Sequence, residues 1–172
     1  AEELAENIRE RFADEEGGYF RTAIDAEKLI IRPKEIFDGA MPSGNSAAAV
    51  LFDRLFRLMG KEAWRAASED QRSFISRSAG QYPAGCCYAL TAMLTDGTSR
   101  ELVCVTPDEV LPETLKAVIS RYAPELTVLV KTPANAAALE AAAPYTADMQ
   151  PKNGKPAYYV CTGGSCALPV DM

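Results

Sequence analysis

Arg32-Pro33-Lys34-Glu35-Ile36-Phe37-Asp38-Gly39-Ala40-Met41-Pro42-Ser43-Gly44-Asn45-Ser46 runs without a break into Ala47, Val50, Leu51, Leu55 and Leu58. The second set is apolar at helical spacing and stops at Gly60, where a C-terminal glycine is expected. The first set reads as a loop. Pro33 and Pro42 restrict φ, Gly39 and Gly44 open conformations closed to other residues, and Ser43, Asn45 and Ser46 can each cap a helix N-terminus. A dense loop feeding a long helix thus decides the character of the N-terminal half.

Working outward, Leu4, Ile8 and Phe12 recur every four residues with Ala5 beside them, so Glu2 to Phe12 reads as an amphipathic helix ended by Asp14-Glu15-Glu16-Gly17-Gly18. Tyr19-Phe20-Arg21-Thr22 and Leu29-Ile30-Ile31-Arg32 read as short extended or β-like runs. Ala63, Ala66, Ala67, Phe74 and Ile75 imply a helix over Glu62 to Ser78, with Ser68-Glu69-Asp70 as a candidate interruption and Tyr82-Pro83 as its end. Ala84 to Leu94 is so rich in apolar and small residues that it should be largely buried, and Asp96-Gly97 closes it.

After Thr98 the texture changes. Glu101 to Val105 and Leu126 to Val130 read as strands separated by a helix over Pro112 to Tyr122, which implies a parallel pair with a crossover. Asn135 to Ala143 makes another helix stopped by Pro144. Ala157 to Cys161 and Cys166 to Leu168 flank Thr162-Gly163-Gly164-Ser165 as a hairpin. The chain therefore reads as mixed α+β, with helical hairpins over residues 1–97 and a small α/β unit over 98–172.

Composition narrows the function. The chain has 172 residues, 48% of them hydrophobic, enough for one ordinary domain or two small ones. Its 24 acidic against 18 basic side chains give a net charge of -6, which argues against nucleic acid as a partner. No apolar run approaches the ~20 residues that span a bilayer, and no signal-peptide pattern opens the chain, so a soluble cytoplasmic protein without membrane contact is expected. Histidine is absent, which removes the commonest general base and metal ligand. Neither a metal site nor a cofactor is expected. The chain starts at Ala1, already inside a helix, so residues upstream of it are expected.

Two readings of the Arg32 to Ser46 loop stand side by side. In one it is a capped connection with solvated charges. In the other, Arg32 and Lys34 hold an anion or a sugar hydroxyl, Asp38 or Glu35 acts as acid or base, and N–H groups near Ser43 and Asn45 bind a negative group. Asp14-Glu15-Glu16 reads as a hydrated helix end rather than a glycosidic carboxylate. Val105-Thr106-Pro107-Asp108 lies where α/β folds bind ligands but lacks a phosphate cradle. Cys86, Cys87 and Cys104 read as small buried hydrophobes. Cys161 and Cys166 bracket a turn that brings their Cα atoms within disulfide reach, as an unbonded or structural pair or as a redox or metal-binding one.

Three pieces in order, Gly17-Gly18-Tyr19-Phe20, then Arg32 to Ser46, then Tyr159-Val160-Cys161-Thr162-Gly163-Gly164-Ser165-Cys166, resemble the C-terminal part of the YyaL-like, thioredoxin-domain-containing family that includes the spermatogenesis-associated thioredoxin-domain protein. The resemblance implies a longer parent. An N-terminal thioredoxin-like domain would precede an α/α toroid similar to six-hairpin glycosidases and N-acylglucosamine epimerases, and residues 1–97 would be the toroid's last hairpins. It also implies that Arg32, Lys34, Asp38, Ser43 and Asn45 lie near a central, carbohydrate-type cavity.

The expected role is a fragment that is not catalytic alone and contributes part of that cavity, with the remainder of the parent as its partner. An alternative is a sugar-processing enzyme using Asp38 with Glu35 or Glu16. Another is an interaction module whose α/β unit and Cys161 and Cys166 hairpin dock the parent's thioredoxin-like domain. Apolar stripes such as Leu4, Ile8 and Phe12, or Val50, Leu55 and Leu58, would lose their neighbours in a cut toroid, so a homodimer through these helix faces is expected.

Overall fold

A computed structural model describes residues 1–94, 98–163 and 165–170 of the chain. The chain divides into two compact units, Ala1–Leu94 and Thr95–Met172. Among the described residues the secondary structure is mixed α+β, with six α-helices and one four-stranded mixed sheet. No helix among them is long and apolar enough to cross a membrane.

The first unit is helical. Helix α1 (Glu2–Arg11) is followed by a long irregular segment, then α2 (Gly44–Met59) and α3 (Glu62–Ala79), joined by only two residues as a helical hairpin. A 3-10 turn, Pro83–Cys86, leads into α4 (Cys87–Leu94). Both ends of α2 follow from its sequence. The Ser43 hydroxyl accepts from the Ser46 N–H at 3.0 Å, and Gly60 closes the helix at φ +65°, a conformation in which glycine has no Cβ penalty.

Two faces of α2 are buried in two clusters. Ala48, Phe52 and Leu55 meet Ala5 of α1 and Trp64 and Ala67 of α3, with Phe52 stacked on Trp64 at 5.9 Å between ring centroids. Ala49 belongs to the other cluster, with Phe74, Ile75, Ala79, Cys86 and Ala89. Burial of each of the large side chains Phe52, Trp64 and Ile75 contributes about 1.5–3 kcal/mol to the packing of the helices.

Several expectations change in this unit. Ser68-Glu69-Asp70 does not interrupt α3, because the Ser68 side chain is buried inside the helix rather than capping a new one. Tyr19 to Thr22 and Leu29 to Arg32 form no strands. Only an isolated bridge joins Ala13 to Tyr19, since the Asn45 amide stands in for a partner strand on both polar groups of Tyr19. Ala84 to Leu94 is half-buried, with Gly85, Cys86, Ala89 and Ala92 inside and Cys87, Tyr88, Thr91 and Leu94 exposed. Cys87 is thus not a buried hydrophobe. The expected closure at Asp96-Gly97 lies outside the described residues. Of the apolar stripes, Leu55 is buried and Ile8 packs on the first cluster, while Leu4 is exposed.

The second unit is built on the sheet order β2-β1-β3-β4. Strands β1 (Arg100–Val105) and β2 (Leu126–Lys131) are parallel, and α5 (Glu113–Ile119) crosses between them. Strand β3 (Ala157–Thr162) then pairs antiparallel with β1, and β4 (Ser165–Cys166) with β3. Because β1 is central, both its faces are covered. Leu102 and Cys104 pack with Leu115 and Tyr158, and Val103 and Val105 with Met149 and Cys161.

Helix α6 (Ala136–Ala142) precedes a 3-10 turn, Pro144–Thr146. The buried Lys131 ammonium at the end of β2 donates to the carbonyls of Thr146, Ala147 and Met149 at 2.7–3.2 Å and pairs with Glu140 at 2.8 Å. It ties residues 144–149 to the sheet. Sequence reading missed this, because a lysine ending an apolar run looks like a strand terminus.

Candidate functional site

The opening loop is held by its own polar side chains. The Asp38 carboxylate accepts the Ser43 N–H at 2.9 Å on one oxygen and the Tyr88 N–H at 2.8 Å on the other, so it serves the starts of α2 and α4 together. The Asp38 N–H donates to Gly85 O at 2.6 Å. Burial raises the Asp38 pKa, but the N–H groups of Ser43 and Tyr88, helped by the Ser46 and Ser43 hydroxyls, outweigh it and hold the carboxyl below its usual range. Asp38 is therefore an anion at neutral pH with both oxygens engaged. The Ser43 hydroxyl also donates to Ile36 O at 3.1 Å.

Asn45 is 1% exposed and joins three segments. Its Oδ1 accepts from Tyr19 N–H at 2.8 Å and from Gln71 Nε2 at 3.1 Å, and its Nδ2 donates to Tyr19 O at 2.9 Å and Glu35 O at 2.7 Å. Gln71, which sequence reading did not single out, is equally buried and also donates to Asn45 O.

The basic residues turn elsewhere. Arg32 Nη2 donates to Thr22 O at 2.7 Å, and its guanidinium lies 4.1 Å from the centre of the Phe20 ring. Lys34 Nζ pairs with Asp14 at 2.5 Å, donates to Gly17 O at 3.1 Å, and sits between the Phe20 and Phe74 rings. The lysine hydrogen bond, with the Glu16 N–H, lowers the Asp14 pKa. Glu35 is exposed, with Arg21 3.9 Å away. Thus Asp38 and Ser43 form one group, Arg32 and Lys34 another, and Asn45 lies buried with partners in both the Tyr19 and Glu35 segments.

Two surfaces adjoin these groups. Beside the Lys34 to Asp14 pair, a polar cleft of about 640 Å³ runs between α1, the 13–19 turn and α3. Glu6, Glu10, Asp14, Glu15, Glu16 and Asp70 outnumber Arg9 and Arg77 on its walls, and Asp38 does not line it. Its floor includes Gly17 and Gly18. At Gly18, φ is +76° and an added Cβ would lie 2.4 Å from the Phe74 ring, so glycine is required there. The Asp14-Glu15-Glu16 cluster is accordingly more than a hydrated helix end, since Asp14 is committed to Lys34.

The other surface is aromatic. Phe37 and Tyr82 meet edge to face at 5.6 Å between centroids, and both rings rest on Gly85, where a Cβ would come within 2.5 Å of Tyr82 and 2.7 Å of Phe37. With Tyr88 and Met41 they remain exposed. Sequence reading missed this shelf, because Phe37 and Tyr82 are far apart in the chain and meet over Gly85, whose carbonyl accepts the Asp38 N–H.

In the second unit, Cys161 and Cys166 are joined by a disulfide with Cα atoms 3.9 Å apart. Thr106 at the strand-to-helix junction is buried and donates to Asp108 O, closing that turn on itself. Among the described residues no group of three or more Cys, Asp or Glu side chains is arranged to hold a metal ion. Compared with family models and with curated proteins, the chain matches none.

Proposed function

We propose that this chain is the C-terminal part of a YyaL-like, thioredoxin-domain-containing protein, and that its first unit forms one wall of a carbohydrate-type cavity of an α/α toroid. The observation that carries the reading is the exposed shelf of Phe37 and Tyr82 over Gly85, beside the anchored Asp38. An exposed edge-to-face aromatic pair offers a ring face to the apolar C–H face of a sugar, and such an apolar patch marks a binding surface. Here Asp38, Ser43 and Asn45 act by holding the shelf in place, and Arg32 and Lys34 by fixing the adjacent turn.

In the enzyme alternative the same anchoring leaves Asp38 the part of base and not of acid. A general acid must carry a proton at working pH, and Asp38 is held ionised by two backbone N–H groups. The test is saturation-transfer NMR of the chain against a panel of mono- and disaccharides. Transfer to sugar C–H protons is expected, and it falls at least fivefold in Tyr82→Ala with the helical circular dichroism retained. No transfer to any saccharide, or transfer unchanged by Tyr82→Ala, overturns the reading. Turnover of a sugar by the chain alone, lost in Asp38→Asn, replaces it with the enzyme reading.

A further inference from the structure

The hairpin formed by β3 and β4 places its cysteines at a particular kind of pair. Ala167 N–H donates to Val160 O at 2.9 Å, so in the alternation of an antiparallel ladder the next pair, Cys161 with Cys166, is one without backbone hydrogen bonds between its members. Side chains are closest at such pairs, and the disulfide there replaces a missing ladder bond. The two sulfurs belong to unlike residues. Cys161 is 2% exposed and packs with Val103, Val105 and Met149, whereas Cys166 is exposed.

Strand β4 is two residues long, and the segment after it continues along the outer edge of β3. Val170 N–H donates to Tyr158 O at 3.0 Å. Its apolar side chains do not anchor it, since Leu168 and Val170 are exposed. The disulfide is therefore the one covalent clasp among few and weak fastenings.

We propose that Cys161–Cys166 is a thiol–disulfide exchange site for dithiols, entered at Cys166, and that its reduction releases residues 165–170 from the edge of β3. A thiolate of the dithiol attacks Cys166 Sγ. The S–S bond breaks, its electron pair leaves on Cys161 Sγ, and that sulfur takes a proton. The donor's second thiol then attacks the donor sulfur of the mixed disulfide and expels Cys166 as a thiolate, which is protonated in turn. The donor loses two electrons and two protons and ends as a disulfide, and the chain gains both as two thiols.

Geometry selects a dithiol. Cys161 stands opposite Cys166 and recaptures any mixed disulfide at high effective concentration, so a monothiol is returned before a second molecule arrives. Only a donor carrying its own second thiol competes on equal terms. The consequence is a bare strand edge. Released, the backbone of β3 presents unpaired N–H and C=O groups, the kind of edge that accepts another strand. This site lies in the second unit and stands independently of the sugar-wall reading.

Iodoacetamide labelling with peptide mass spectrometry, together with amide hydrogen exchange, tests the proposal on the full chain. Without reductant, the exposed Cys87 is labelled and Cys161 and Cys166 are not. With dithiothreitol, Cys166 is labelled first and Cys161 more slowly, and the amides of Ala167 and Val170 exchange at least tenfold faster while that of Val103 is unchanged. Glutathione at the same thiol concentration reduces less than a tenth as much chain. The Cys161→Ser, Cys166→Ser double variant shows the fast exchange with or without dithiothreitol. Labelling of Cys166 without reductant, equal reduction by glutathione, or unchanged exchange at Ala167 and Val170 after reduction each overturns the proposal.

Discussion

Asn45 shows how a single amide organises the first unit. Its side chain satisfies both backbone groups of Tyr19, the Glu35 carbonyl and the Gln71 amide, at a position almost closed to water. Asn45→Ala removes these partners at once and leaves buried donors and acceptors unpaired, for an expected loss of about 2–4 kcal/mol. Urea unfolding followed by circular dichroism should show a lower midpoint with the slope unchanged. A loss below about 1 kcal/mol would mean that water replaces the amide without penalty. Asn45→Asp should cost as much, because it aims a carboxylate at two carbonyl oxygens. The sequence announces Asn45 only as a helix-cap candidate. Ser43 does cap α2, since its partner lies three residues away, whereas Asn45 is matched with groups up to 26 residues distant. Local chemistry can be read from spacing; partners brought in by tertiary packing cannot.

The same division holds for whole elements. Helices α1, α2 and α5 and strands β1 and β2 follow from apolar periodicity and breakers, and so does their parallel pairing. The insertion of β3 beside β1 does not, because nothing local in Ala157 to Thr162 names its neighbour. Tyr19 to Thr22 looks like a strand and finds a side-chain amide instead of a strand to pair with. Turns at positive φ offer a direct comparison of two glycines. At Gly60, φ is +65° and the space around an added Cβ is open, so Gly60→Ala should cost only about 1 kcal/mol from backbone strain. At Gly18, the same strain adds to a collision with the buried Phe74 ring, and Gly18→Ala should cost about 2–4 kcal/mol. Thermal unfolding of the two variants side by side decides this, and equal shifts in Tm would show that Phe74 moves aside freely.

At the scale of the molecule, the apolar surface lies where periodicity does not point. The stripes expected to be bare are partly covered, with Leu55 buried and Ile8 packed against the first cluster. Exposed instead are Ile24, Leu29, Ile30 and Ile31, on the irregular segment between α1 and α2. Leu29-Ile30-Ile31 is an uncharged run, and a segment with no strand partner of its own keeps its backbone groups available along with its side chains. A second copy of the chain offers the same uncharged run, so two copies can cover each other's apolar side chains without burying a charge. Sedimentation velocity over roughly a hundredfold range of concentration should show the weight-average mass rising toward a dimer. Ile30→Glu places a carboxylate in the middle of that contact and should hold the chain monomeric, while Leu4→Glu, on α1, should leave association unchanged. A monomer at every concentration in the unsubstituted chain would sink the prediction. Loss of association in Leu4→Glu but not in Ile30→Glu would return the contact to the helix face.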